Sequence, residues 1–359
     1  MANHAKAVAS KETKEPKPVI PVAMLPMAGI TEVKTGDGTY LQRNDVWFTA
    51  MKHSQGEFSP FFLALRDEGK VLAHRCPQCR QIIVPPFMTR CPACNFVEMK
   101  PEYVKDTGVM CASPVITVFA PSRFKGQEPF GTGRVFLEAS DGKLTDSAML
   151  VRVRTTHGTI RPGVYKKGTP IKLAFCDVRE GAMQDVFAVP QSELTAKQLA
   201  KSPLLESEIE WGKLSALDFG KPTKQLQEVL RQVKKHFQTL AGMIPRSPRA
   251  TANLVNWRRT VNVRTAGGSF SFVVGNSTLK VGEESTKPDL VLAIKDPAIL
   301  LTWLRDCTEA VGEELKSPAL TDMVIEGTLI LNKPELETIT RLDRVPRSLR
   351  RDKVLASAS

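Results

Sequence analysis

The chain has 359 residues, 42% of them hydrophobic, and carries a net charge of +12 with a pI of about 9.4. That length supplies about two to three cored domains, and no apolar run approaches a membrane span, which excludes an integral helical membrane protein. The basic balance favours anionic partners, such as nucleic acid, a membrane surface or the phosphates of coenzyme A. Four of the seven cysteines fall in two pairs, leaving Cys111, Cys176 and Cys307 scattered. This is the pattern of a reducing compartment without a disulfide framework. The N-terminus has no apolar signal core, so the expected location is cytoplasmic.

In chain order, residues 1–20 are rich in Lys, Ala, Glu and Pro and carry little to bury. Residues 21–40 add Pro21, Pro26 and the turn-prone Gly36-Asp37-Gly38, so 1–40 as a whole is expected to be a flexible arm. A helical pattern opens at Asp45, with Val46, Trp47 and Met51 on one side, and Gly56 breaks it. A second helix opens at Ser59-Pro60, an N-cap followed by Pro at the first helical position. It carries Phe61, Phe62, Leu63 and Leu65 and ends at Gly69. Aromatics this dense on a short helix are expected in a core. A strand over 70–74 then leads to Cys76.

Two Cys-x-x-Cys pairs follow, Cys76/Cys79 and Cys91/Cys94, with eleven residues between them. Each pair can turn two thiolates toward one point, and four thiolates complete a closed tetrahedral shell for a structural metal. No ligand position is left for water or substrate. Zn²⁺ is the expected ion, and iron is the alternative that the same donor set accepts. Unrelated Cys-Pro turns or two disulfides are the competing readings. His74 lies two residues before Cys76 and, with four thiolates present, is read as an ordinary strand residue. Residues 41–103 therefore form a helical lead-in and a Cys₄ ribbon.

Residues 104–190 read as all-β. Short β-rich segments at 115–120, 133–139, 148–154 and 171–177 are separated by turns, with Asp141-Gly142 a hairpin signal. Four or five such strands fit a small closed barrel, most simply an OB-fold. The stretch LRDEGKVLAHRCPQCRQIIVPPFMTRCPAC, with Phe61-Phe62 before it and FGTGRVFLEASDGKLTDSAMLV after it, resembles an acyl-CoA-associated family of rubredoxin-like zinc ribbon plus OB-fold. Leu65, Gly69, Leu72, the four cysteines and Pro85-Pro86 carry the likeness, which spans about residues 45–190. It implies a non-catalytic partner of thiolases and related ketoacyl-condensing enzymes that braces the catalytic subunit and helps form its acyl-CoA entrance. The basic arm before residue 40 and the polar insertion at 122–128 depart from that pattern.

Residues 191–222 read as a polar linker containing Pro203, Trp211, Gly220 and Pro222. A helix over 223–241 follows, with Leu226, Val229, Leu230, Val233, Phe237 and Leu240 on one face. Strands are expected at 253–256, 259–265, 269–274, 277–281 and 289–294. Asp296-Pro297 opens a helix with Ile299, Leu300, Trp303, Leu304, Cys307 and Val311, and Phe237, Trp303, Leu304 and Cys307 read as core. Residues 322–325, Gly327 and 328–331 lead to a helix from near Pro334. The segments FSFVVGNSTLKVGEESTKPDLVLAIKDPAILLTWL and VIEGTLILNKPELETITRL resemble the sterol carrier protein type-2 domain over about 223–345. Asp289 and Asp296 mark its strand-to-helix step, and Ile325, Gly327 and Leu329 its final strand. The likeness implies a curved sheet covered by helices, with a tunnel for lipid or fatty acyl-CoA. Residues 346–359 read as a basic tail. Over 341–353, Arg341, Arg344, Arg347 and Arg350 stand three apart, spaced to clamp phosphates or simply to be solvated.

The fold class is thus multi-domain: zinc ribbon and small β-barrel (OB-fold), then an α+β sterol-carrier-like domain. No catalytic constellation is visible. Gly131-Thr132-Gly133 is too short for a phosphate loop and sits in a β context. His4, His53, His74, His157 and His236 are scattered, and Cys111 reads as a small buried residue before it reads as a nucleophile. Two function classes result. One is an accessory subunit of a thiolase-like enzyme in a hetero-oligomer, with acyl-CoA or lipid as ligand. The other is a nucleic-acid-binding ribbon and barrel, disfavoured because aromatics are only 6% and Phe119, Phe136 and Phe175 stand apart.

Overall fold

The computed structural model describes residues 29–36, 38–44, 54–119, 128–214, 217–308 and 317–358. The helical pattern expected from Asp45, and the polar insertion up to residue 127, lie outside them. The chain divides into two units, 1–56 and 57–359, and each is described by itself.

In the first unit, β1 (Gly29–Thr35) pairs antiparallel with β2 (Gly38–Asn44), with Thr35 opposite Gly38. The flexible arm expected through residue 40 is therefore corrected over 29–36 and 38–40. Val33 faces Tyr40, Thr31 faces Gln42 and Ile30 faces Arg43 along a local ladder, and β-branched and aromatic residues favour that state without a core. Ile30 and Leu41 remain 69% and 74% exposed.

In the second unit, α1 (Ser59–Leu63) runs into one wide turn over Ala64–Glu68 and stops at Gly69, whose φ of +62° is the left-handed cap. A Cβ on Gly69 would lie 2.8 Å from Pro203 Cβ. Phe61 and Leu65 are buried, as expected, whereas Leu63 is 44% exposed. A three-stranded sheet follows, with β3 (Val71–Arg75) between β4 (Ile82–Ile83) and β7 (Lys100–Val104). The short pair β5 (Arg90–Cys91) and β6 (Val97–Glu98) lies between them in sequence.

The barrel is built from β8 (Thr107–Met110), β10 (Phe130–Leu137), β11 (Met149–Val153), β12 (Pro170–Phe175) and β13 (Val186–Pro190), with β9 (Val115–Thr117) on the outer edge of β10. The ring runs β8-β10-β11-β13-β12 and back to β8; only β11–β13 is parallel. Gly131, Gly133, Val135 and Leu137 of β10 are buried at period two. A Cβ at Gly131 or Gly133 would lie 2.6 Å from Val153 or 2.7 Å from Met110, so these glycines fit the narrow interior. β13 was not singled out from the sequence because all five of its residues are buried, leaving no alternation to read.

Its outer face is buried because residues 191–214 lie over it, which corrects the linker expectation for that stretch. Leu194, Leu204 and Ile209 join Ala174, Phe187 and Val189 in one cluster, with Trp211 packed beside it. The short helix α2 (Ala196–Ala200) is capped reciprocally by Thr195 and Gln198. This strap also leads into the C-terminal part. Thr159 N–H donates to Leu331 O at 2.8 Å, and Lys213 N–H to Thr156 O at 2.8 Å. Gly158 (φ +96°) would place a Cβ 2.7 Å from Leu331 O, and Gly212 (φ +72°) one 2.8 Å from Asn332 O.

The C-terminal sheet has the order β16 (Thr278–Gly282), β15 (Gly268–Gly275), β14 (Arg259–Thr265), β17 (Leu290–Ile294), β18 (Leu329–Leu331), with β14–β17 parallel. Helices α3 (Lys224–Met243) and α5 (Pro297–Thr308) share its core. Phe237 lies 5.5 Å from Phe270 and 5.4 Å from Phe272, ring to ring. Trp303, Leu304 and Cys307 are buried beside them, so these side chains are core as expected.

Three other expectations are corrected. The strand at 253–256 is replaced by the end of α4 (Pro248–Asn253) and a turn over 254–256; α4 is capped by Ser247 with Pro248 at its first position, whereas Ser59 of α1 is itself helical and makes no cap. The strand through Ile325 is instead α6 (Leu320–Glu326), ended by Gly327 at φ +78°. Its N-terminal N–H groups at Leu320 and Thr321 donate to Asp343, far along the chain, while Asp322 accepts locally from the Ala319 N–H at 3.1 Å. The basic tail at 346–359 is α7 (Leu336–Ala358), a helix with Pro346 inside it. Arg350 on α7 is 5% exposed and contacts Asp306 on α5, so it is no solvated clamp.

Leu204 is fully buried although it was read as linker. Leu204→Ala should cost about 2–5 kcal/mol in chemical denaturation, and Gly158→Ala should cost more than about 1 kcal/mol through its left-handed backbone alone. A free strap and a loose junction would instead leave both variants at wild-type stability.

Candidate metal centre

The first cysteine pair leaves the end of β3. Arg75 pairs with Ile82 across β3–β4, so the chain between them must reverse tightly. Cys76 N–H donates to Gln81 O at 2.9 Å and Arg80 N–H to Cys76 O at 3.0 Å, with Arg80 at φ +65°. The second pair repeats this at β5–β6. Phe96 N–H donates to Cys91 O at 2.9 Å, and Asn95 and Phe96 sit at φ +55° and +57°. Pro92 opens the intervening turn, Pro92–Cys94, where its fixed φ suits a helical start.

The two reversals bring the Sγ atoms of Cys76, Cys79, Cys91 and Cys94 within 4.8 Å of one another. Cys79 and Cys91 Sγ are 3.6 Å apart, too long for a disulfide at about 2.05 Å. A tetrahedron with metal–sulfur bonds of about 2.3 Å has sulfurs about 3.8 Å apart. The donor set therefore fits a metal ion such as zinc. Cys76 and Cys91 are buried on a small core with Ile83 and Met99, Cys94 is half-buried and Cys79 is exposed.

Burial pushes the Cys76 thiol up, but N–H groups of Cys79 and Gln78 donating to its sulfur outweigh it and bring the thiol down to about 6. Burial, together with contacts to Cys79, Cys76 and Cys91, pushes Cys94 up to about 12, and Cys91 is raised by burial and its neighbours. A metal-free cluster thus holds its charge unevenly. A divalent cation is what allows all four sulfurs to be thiolates together. The Nδ1 of His74 lies 2.9 Å from Met88 O, which ties His74 to the ribbon backbone and not to the sulfur cluster.

The barrel grips this ribbon through the loop after β10. The Arg75 guanidinium meets Glu102 through Nε and through Nη2 at 3.0 Å, and Asp141 through Nη1 at 2.9 Å. Ile82 N–H donates to Asp146 at 2.7 Å and Val84 N–H to Ser147 at 2.7 Å. Asp141, Asp146 and Ser147 were missed as site residues. Asp141-Gly142 does form the expected turn, with Gly142 at φ +80°, but nothing local announces a partner 66 residues away.

The remaining thiols do not join this cluster. Cys307 is buried, and Cys176 is pushed up to about 11, by burial first and then by Glu206 and Asp185. Cys111 lies just past β8, its N–H on Arg134 O. His157 Nδ1 stands 3.8 Å from Glu193, and His236 Nδ1 lies 3.1 Å from Thr308 Oγ1. His4 and His53 fall outside the described residues.

Solved structures similar to this chain include an Ltp2–ChsH2(DUF35) aldolase chain, at 15% identity over 40% of this chain and 98% of that one, with a TM-score of 0.28. A DUF35-family protein of unknown function from Sulfolobus solfataricus is 17% identical over 38% of this chain and 87% of that one, with a TM-score of 0.27. A sterol carrier protein 2 is 14% identical over 33% of this chain and 92% of that one, with a TM-score of 0.24. No protein-family model matches the chain, and no curated protein matches it.

Cys91→Ser should lower bound zinc from about one equivalent to well below it, as read by elemental analysis, and should loosen the ribbon, because metal binding contributes directly to folding. Folded protein without zinc or iron would remove this reading. Arg75 holds the carboxyls of Glu102 and Asp141 below their usual range, chiefly through its hydrogen bonds. Lowered folded values stabilise fully above the unfolded values of about 4 and lose that contribution as pH falls through the folded ones. The acid limb of the stability profile should therefore be shallower in Glu102→Gln than in the wild type.

Proposed function

We propose that this protein is a non-catalytic accessory subunit of a thiolase-like acyl-CoA enzyme that forms or cleaves carbon–carbon bonds. In this reading its metal is a structural Zn²⁺, and the catalytic nucleophile and base sit on the partner subunit. The observation that carries the reading is the cysteine centre itself. Its four sulfurs close the coordination shell, and it is anchored to the barrel, while large apolar side chains stand exposed on the ribbon that carries it and on the helical lead-in before it. Phe96 is 64% exposed, Phe87 52%, Leu63 44% and Phe58 39%. A centre with no open ligand position supplies rigidity and not chemistry, and exposed aromatics on a rigid support suit a partner interface.

The barrel's strand order supports the OB-fold named in the resemblance. The reading places the partner contact on the ribbon and barrel, in a cytoplasmic hetero-oligomer. It gives the C-terminal sheet and helices the acyl or lipid chain, with a coenzyme A thioester as the ligand. Because Phe237, Phe270, Phe272 and Trp303 fill that core, an acyl chain would have to displace them or lie on the surface. Each buried methylene would contribute about 0.8 kcal/mol.

The full chain should co-purify with a thiolase-like protein and have no thiolytic or aldol turnover when alone. Phe87→Ser combined with Phe96→Ser should keep the wild-type circular dichroism and zinc content but reduce capture at least tenfold. Turnover by the lone chain, or capture unchanged in the double variant, would count against the assignment.

A further inference from the structure

A cleft of about 470 Å³ lies where β11, the strap and the β18–α7 loop meet. Its volume falls within the range of small-molecule sites. It is separate from the cysteine cluster, none of whose members lines it.

Two arginine–aromatic pairs occupy its walls. Arg154 stacks on Trp211 at 3.7 Å and on Phe187 at 4.7 Å, centre to ring, and Arg152 stands over Phe130 at 5.4 Å. Arg154 is also ion-paired with Glu206 at 2.5 Å, so those two charges cancel. Arg152 has no carboxylate partner among the described residues, and Lys333 has only a long contact of 3.8 Å to Glu335 from a half-exposed position. Cys176, on the same wall, is held neutral at pH 7 by burial first and then by the nearby carboxylates. The cleft lining therefore carries three cationic side chains, Arg152, Arg154 and Lys333, against one carboxylate, Glu206, beside flat guanidinium and ring surfaces.

Two cations favour an anion that can take charge-assisted hydrogen bonds. The stacked arginines present planes on which an aromatic ring can lie. Walls on three sides, from the barrel, the strap and the C-terminal loop, suit a compact ligand better than a continuous strand. The glycines at 158 and 212 hold those walls together by letting the barrel loop and the strap touch Leu331 and Asn332.

We propose that this cleft binds a nucleotide-like organic phosphate, with the phosphate between Arg152 and Lys333 and the planar base against the Arg154–Trp211 stack. The site does not depend on the accessory role and would stand without an enzyme partner. The chemistry is shared by a free mononucleotide and by the nucleotide end of a larger ligand.

The test is calorimetry on the full chain with AMP, adenosine, inorganic phosphate, coenzyme A and a short oligoadenylate. AMP should bind saturably, and adenosine or phosphate alone at least tenfold more weakly. Coenzyme A equal to AMP points to a shared nucleotide end, and coenzyme A weaker than AMP to a free mononucleotide; both support the site. Arg152→Gln and Lys333→Gln should each weaken AMP about tenfold, while Lys280→Gln, on the exposed face of β16, should not. No saturable AMP binding at millimolar concentration overturns the proposal. So does binding unchanged in Arg152→Gln and Lys333→Gln, or an oligoadenylate that binds more tightly than AMP. Wild-type melting of the variants, measured alongside, separates loss of the site from loss of the fold.

Discussion

Arg75 holds the two halves of the ribbon-and-barrel assembly in one orientation. It lies in the strand that delivers Cys76, and its guanidinium spans from Glu102 in β7 to Asp141 in the barrel loop. A planar fork satisfies two carboxylates at fixed angles, which a lysine ammonium would not do. The cysteine cluster is small, with only Ile83 and Met99 as its buried apolar support. Its position therefore depends on the two tight cysteine turns at one end and on this ion-pair network at the other. A buried ion pair is weak grounds for added stability, but it fixes geometry, and geometry is what an interface built around the ribbon would need.

The second constraint is the strap at 191–214. It buries Leu204 and Ile209 on the outside of β12 and β13, so that both faces of β13 are covered. The same segment carries Trp211 onto Arg154 and Gly212 onto Asn332. Val118, just past β9, enters the C-terminal core. Barrel and C-terminal sheet are thus joined by backbone hydrogen bonds and shared apolar contacts, and the cleft between them follows from that join. The barrel and the C-terminal sheet are therefore poor candidates for separation by a cut within the strap.

Much of the local structure was legible in the residues. The Cys-x-x-Cys spacing determines which sulfurs can meet, because each knuckle is closed by its own short hairpin. The amphipathic face of α3 and the β-rich segments of the barrel are local features, and each appears as expected, whereas α1 starts one residue early, with Phe58 and not Ser59 at its N-cap and no side-chain cap. Where sequence reasoning failed, the cause was a distant partner. α6 is capped by Asp343, the strap looked polar until β13 lay beneath it, and Arg350 looked solvated until Asp306 faced it.

By itself, then, the sequence determined the donor set, the helix and strand periods, and the positive charge, since these depend on neighbours a few residues apart. Only the tertiary structure decided which carboxylates answer Arg75, that residues 191–214 are a packed strap, and that two arginine–aromatic pairs share one cleft. Those facts depend on loop closure and on side chains tens of residues apart, whose proximity no local pattern encodes. The four cysteines could be named from their spacing because two tight turns suffice to bring them together. The cleft could not, because it exists only where a barrel strand, a strap and a helix approach each other.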